Sequence, residues 1–266
     1  MMSDVEQIMF LTTEMDFGLA MLHHVPLNAS VVVSPISVIF TLAMLQAGAR
    51  DKTKEQIGEL IAKSKQFIVK KDYVDRIVNK FHAKVETLNF REAEEAAKAS
   101  PLQYAEDDEV EVLSLPYKDV SYAFNIFLPK KRFGLKSVRS MIDGARIQKL
   151  LSKLEETFIS VTIPKIKVET DFKLKEALMN MGVTEIFSDN ADLGGISSKP
   201  PLKISDAAHK AIIEVDEKGT TAAATTLFKA IPKMAIFEKP KKFVADHPFL
   251  FILTKHNNPL FMGQFV

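Results

Sequence analysis

Apolar residues recur at three- and four-residue steps from Val5 through Ile8, Met9, Leu11, Met15 and Leu19 to Leu22, a spacing that predicts an amphipathic first helix. Val31-Val32-Val33 follows as a short strand. Ser34-Pro35 then opens a second helix, because Ser is a preferred N-cap and Pro is preorganised for the first helical position, and Gly48 closes it. Thr53 with Gln56 three residues on reads as a capping box that starts a third helix running toward Ala62. Between Lys63 and Ala99 the pattern is charged and loosely periodic, with Tyr73, Val74, Ile77, Val78 and Phe81 as its buried points and an acidic, Ala-rich helix from Arg91 to Lys98.

Beyond Ser100 the period shortens. Glu109 to Leu115 and Tyr122 to Leu128 read as strands, rich in β-branched and aromatic residues between turn signals. Helical spacing returns over Leu135 to Leu154. Phe158 to Val168 is expected as two strands joined or bent at Pro164, and Asp171 as the N-cap of a short helix carrying Leu174, Leu178 and Met181 that stops at Gly182. Lys203 to Asp216 alternates like a strand. The chain ends in a hairpin, Phe249 to Leu253 and Leu260 to Met262, turned at His256-Asn257-Asn258-Pro259. With no long repeat and no Pro- or Gly-rich linker, a single α+β domain over residues 1–266 is expected.

Charge and composition narrow the functions open to such a chain. Lys and Arg total 35 against 34 Asp and Glu, a formal charge of +1, so no bulk charge recruits it to nucleic acid or anionic lipid. The absence of Cys removes disulfide scaffolds, thiol catalysis and thiolate metal sites. Phe17 to Ala49 carries no Asp, Glu, Lys or Arg, but the helix inside it is too short for a bilayer, which needs about 20 apolar residues. That helix is expected in the core, and no membrane partner is expected. The first charges, Asp4 and Glu6, are acidic, which leaves the start without the basic region of a secretory signal and predicts a cytoplasmic chain. No nucleophile elbow, metalloprotease helix, P-loop or dinucleotide fingerprint occurs, and the six His residues have no ligand spacing. The reading is therefore not an enzyme, with no metal and no cofactor.

One segment fits neither core nor ordinary surface. Glu217-Lys218-Gly219-Thr220-Thr221-Ala222-Ala223-Ala224-Thr225-Thr226 follows a good strand directly, and its small side chains bury almost nothing. It reads as a flexible loop, or as a strand able to enter a crowded sheet, with Thr220, Ala222, Ala224 and Thr226 on one face.

In context that segment carries a resemblance. "EVDEKGTTAAATT" from Glu214, followed by "KPKKFVADHPFLFIL" and "PLFMGQF", is similar to the reactive loop and C-terminal hairpin of the serpin family. "SPISVIFTLAMLQAGARDKTKEQI" from Ser34 resembles the serpin helix under the central sheet and the helix after it. "VLSLPY", "FNIFLPK", "VTIPKIKVETDFKLKEALMNMGV", "ADLGGIS" and "ISDAAHKAIIEVDEKGT" follow in family order. The resemblance implies a serpin-like α+β fold, with a mixed central sheet, smaller sheets and several helices. It also implies a single-use inhibitor: a protease cleaves the exposed loop, the freed hinge inserts as a strand, and the acyl-enzyme is distorted. Glu217 to Thr226 would be the hinge within a reactive loop of about 217–241, and the scissile bond would join Lys233 to Met234. Ser34, Ser37 and His209 match the polar cluster beneath the strands that part. Lys233 implies a protease with an acidic primary pocket, a trypsin-like serine protease, with a cysteine protease as a second class.

The chain departs from the family in two places. Thr221 stands where many inhibitory members carry an acid. More sequence is missing near 65–66 and 99–100, where the family carries a helix crossing the sheet face and a strand bordering the insertion slot. The hinge would then have one neighbour, and the exposed edge would invite self-association. The alternative is a non-inhibitory serpin-fold binding or regulatory protein, and the alternative location, by family habit, is extracellular.

Overall fold

The computed structural model describes residues 4–68, 100–215 and 240–266. In chain order these form α1 (Asp4–His23), β1 (Val31–Val33), α2 (Pro35–Gly48), α3 (Asp51–Ile68), β2 (Ser100–Glu106), β3 (Val110–Pro116), β4 (Tyr122–Pro129), α4 (Leu135–Met141) and α5 (Gly144–Ser152). There follow β5 (Glu155–Thr162), β6 (Ile166–Phe172), α6 (Leu174–Asn180), a 3-10 turn (Glu185–Phe187), β7 (His209–Val215), β8 (Lys241–Val244), β9 (Phe249–Lys255) and β10 (Asn258–Phe265). The expected helix from Arg91 to Lys98 lies outside the described residues.

Eight strands join in the order β1-β10-β9-β4-β3-β2-β5-β8, and β6 and β7 form a second, two-stranded sheet. The large sheet is antiparallel except where β8 runs parallel to β5. Its central strands β4 and β9 are buried on both faces, as alternation along β9 shows, whereas β5 and β8 at one end are largely exposed. Leu250 and Ile252 enter a cluster with Met15, Leu22 and Ile39 of the helices. Phe249, Phe251 and Leu253 enter a second cluster with Ile166, Val168 and Ile213 of the small sheet. The fold is thus three layers, helices against a large sheet against a small one, and period-two alternation feeds both interfaces.

Several local signals act in places other than those the sequence suggests. α3 starts at Asp51, and Thr53 and Gln56 form no capping box. Thr53 is buried, its Oγ1 accepts from Asp192 N at 3.0 Å, and Gln56 Oε1 accepts from Thr184 N and Glu185 N at 3.0 and 2.8 Å. Both side chains hold the segment after α6. The helix expected over Leu135 to Leu154 is two helices, broken where Asp143 caps α5 by accepting from Arg146 N at 2.7 Å. Asp171 lies inside β6, and α6 starts after Lys173 without a side-chain cap. The strand expected from Lys203 begins only at His209, while β2 and β8 carry too little alternation to stand out.

The terminal hairpin turns on His256 and Asn257 alone, both with positive φ (47° and 63°), the geometry that keeps a two-residue turn in line with strand twist. α2 spans the expected residues but is not wholly buried. Met44 is 68% exposed, Thr41 and Ala47 are exposed and Phe40 is half-buried, so one stripe of this uncharged helix faces outward.

Candidate functional site

β1 is an edge strand of the large sheet, so alternate amides along it point away from β10 and need partners elsewhere. The small sheet supplies them. Val32 N donates to Thr170 Oγ1 of β6 at 2.8 Å, and two residues on Ser34 N donates to His209 Nε2 of β7 at 2.8 Å. Ser34 Oγ, free of any capping bond, meets Ser37 Oγ at 2.8 Å on the first turn of α2. The structure therefore brings Ser34, Ser37 and His209 together, at the corner where β1, α2 and β7 converge. For Nε2 to accept, the imidazole must be neutral with its proton on Nδ1, and burial, by penalising the charged form, pushes the His209 pKa down. Thr170 completes this latch and had no signal in the sequence beyond its place on the inward face of an alternating strand.

β7 leads to the segment that contains the proposed hinge. It pairs antiparallel with β6 from Phe172↔His209 to Ile166↔Val215, and among the described residues β6 is its only strand partner. Glu217 to Thr226, Lys233 and Met234 lie outside the described residues. The chain becomes described again at Pro240, and there a second group of charged side chains gathers. Glu106 pairs with Lys130 at 2.8 Å and with Lys241, the first residue of β8, while Lys241 Nζ also sits 4.2 Å from the Tyr104 ring centre. The lysines, Lys130 first, hold the Glu106 carboxyl down at about 2. Phe243, fully buried, anchors the same strand in the core. The chain that follows residues 216–239 is thus fixed by polar contacts over an apolar floor. Nothing in the sequence spacing links Glu106, Lys130 and Lys241, which come from three different elements.

Two other histidines make structural bonds: His23 Nε2 meets Arg139 O at 2.9 Å, and His247 meets Pro129 O through Nε2 at 2.7 Å and Asp246 Oδ1 through Nδ1 at 2.9 Å. Among the described residues no three His, Asp or Glu side chains gather where they could hold a metal ion. No described helix is long and apolar enough to cross a membrane.

Comparison with known proteins gives this arrangement its family. The family described as Serpin (serine protease inhibitor) matches residues 12–65 and 97–266, and the chain belongs to it. The chain is 40% identical over 164 residues to Iripin-2 of Ixodes ricinus, a match covering 61% of this chain and 41% of that protein. It is 36% identical over 166 residues to intracellular coagulation inhibitor 2 of Tachypleus tridentatus (62% and 40% covered), and 34% identical over 175 residues to leukocyte elastase inhibitor of Bos taurus (63% and 46%). The chain spans about two fifths of the length of the curated relatives it matches. Among solved structures, uncleaved ovalbumin superposes with a TM-score of 0.74 at 21% identity, covering 96% of this chain and 99% of that one. The thermophilic serpin tengpin in its native state gives 0.71 at 19% identity, covering 99% and 94%. At such identities these two likenesses establish the fold, which is α+β and serpin-like.

Proposed function

We propose that the chain inhibits a serine protease as a suicide substrate, with residues 217–241 as the reactive loop, Lys233–Met234 as the scissile bond and Glu217 to Thr226 as the hinge. The observation that carries the reading is the placement of β7: a strand latched to β1 and α2 through His209, leading directly into the small-residue segment, with one edge unpaired among the described residues. Family membership and relatives named as coagulation and elastase inhibitors support inhibition as the activity. The lysine at 233 supports a trypsin-like target, because an acidic primary pocket would pair its ammonium.

A second reading, a serpin-fold binding protein that traps nothing, is favoured by the same sheet. An inserted hinge would find β7 on one side, and no described strand on the other.

Incubation with trypsin followed by a denaturing gel separates the two. A trap gives a covalent band at the summed mass, and Lys233→Ala abolishes it while leaving the far-UV circular dichroism unchanged. Wild-type chain recovered only cleaved or intact supports the binding reading, and an undiminished band from Lys233→Ala removes that residue from the scissile bond.

A further inference from the structure

The outward face of β7 reads Lys210, Ile212, Glu214: an apolar residue, 54% exposed, midway between opposite charges. Beyond it lies an edge with no described partner. We infer that the chain forms a two-fold dimer in which β7 pairs antiparallel with β7 of a second copy.

The sequence of the strand is complementary to its own reverse. With the axis at Ile212, Lys210 lies opposite Glu214 of the second copy, Glu214 opposite Lys210, and the two Ile212 side chains face each other. The rows continue across all four strands. Lys167 is the register partner of Glu214 and Asp171 that of Lys210, so one row reads Lys167, Glu214, Lys210 of the second copy, Asp171 of the second copy, with sign alternating at every step. On the inward face Ala211 would oppose Ile213, apolar against apolar. The same operation on β6, the other strand of the small sheet, places Glu169 against Glu169, so the charge pattern selects β7. β1 offers less, since its outward amides at Val32 and Ser34 are already taken by Thr170 and His209. An isologous pairing closes on itself, which gives a dimer and not a fibre. A contact of one seven-residue strand is small, so the dimer is weak and concentration-dependent.

The dimer takes the same edge of β7 that an inserted hinge would take, so it belongs to the uncleaved chain, and its test reads mass alone. Sedimentation of the full chain over two decades of concentration is expected to show monomer and dimer. Lys210→Glu and Glu214→Lys each set like charges opposite at two symmetric positions and should weaken the dimer about tenfold or more. The double reversal restores opposite charges across the axis and should bring the dimer back, although it leaves the pairs with Glu169 and Lys167 inside each copy disrupted. Ile212→Lys, on an exposed position, should give monomer with an unchanged circular dichroism spectrum. A monomeric wild type, open-ended oligomers, a dimer indifferent to all four variants, or a double reversal no better than the single ones would each overturn the inference.

Discussion

At the scale of single residues, two titratable groups, half-buried His209 and buried Glu14, pull stability in opposite directions with pH. His209 has a folded pKa below its ordinary value, so the unfolded chain binds the proton first on acidification. Its contribution is complete above about pH 6.5 and is lost as pH falls through the folded pKa, when the imidazolium can no longer accept from Ser34 N. His209→Gln, which keeps an acceptor and cannot titrate there, should flatten the acid limb of a melting-temperature profile. An unchanged limb would mean that another group sets it. Glu14 behaves in the reverse sense. It is fully buried on α1, neither carboxyl oxygen has a hydrogen-bond partner among the described residues, and burial pushes its pKa up to about 8. A raised carboxyl pKa contributes stability that is complete below the unfolded value and lost as pH rises toward the folded one, so near pH 7 holding the proton costs on the order of 3 kcal/mol. Glu14→Leu should therefore raise the melting temperature near neutral pH and hardly alter it at pH 4, as scanning calorimetry would show. Of these residues only Ser34, Ser37 and His209 were legible beforehand, and through family resemblance alone. Hydrogen bonds between residues more than a hundred positions apart, such as Val32 N to Thr170 Oγ1, leave no spacing to read.

At the scale of elements, periodicity was a sound guide to type and a poor one to ends. Triplet valine at β1, the Pro-initiated α2 and the alternating β3, β4, β6 and β9 all follow from side-chain pattern, because burial of a face is what the pattern records. Polar start signals failed where tertiary contacts competed for them: Thr53 and Gln56 serve the segment near Asp192 and Thr184 instead of their own helix. Asp171 sits in a strand because alternation over Ile166 to Phe172 outweighs one capping preference. α2 carries the further lesson that an uncharged helix need not be covered on every side. The resemblance implies a place for this helix beneath the central sheet, and among the described residues the face bearing Met44 is open. Met44→Lys should then change stability by no more than about 0.5 kcal/mol in denaturant titration, as exposed substitutions do. A loss of several kcal/mol would show that the stripe is covered, because a charge there would be buried without a partner.

At the scale of the whole molecule, the fold class and the order of family motifs were readable from sequence, and the resemblance, with sequence missing near 65–66 and 99–100, also implied the number of neighbours an inserted hinge would find, one. That number governs how much loop insertion is worth. A new strand of about twelve residues makes roughly one net-favourable hydrogen bond of about 1 kcal/mol per residue when flanked on both sides, so on the order of 10 kcal/mol. With β7 as the single described neighbour about half of that remains, still a large share of a typical domain's total stability of about 5–15 kcal/mol. Cleaving the loop should accordingly raise the melting temperature by about 10 °C or more, at roughly 2–4 °C per kcal/mol for a chain of this size.

Thr220 tests whether the hinge is the segment that enters. In the register proposed it turns inward as insertion begins, so Thr220→Arg would bury an unpaired charge at a cost of several kcal/mol and cancel most of the gain. In the uncleaved chain the same change, on a loop, should stay within about 0.5 kcal/mol of wild type. Differential scanning of four samples, wild type and Thr220→Arg each before and after cleavage, decides the matter. A large gain for cleaved wild type with little for cleaved Thr220→Arg is the expected result. Equal gains would move the start of insertion away from Thr220. No gain in either would mean that one flank is too little to hold the strand, and the binding-protein reading would replace the inhibitor.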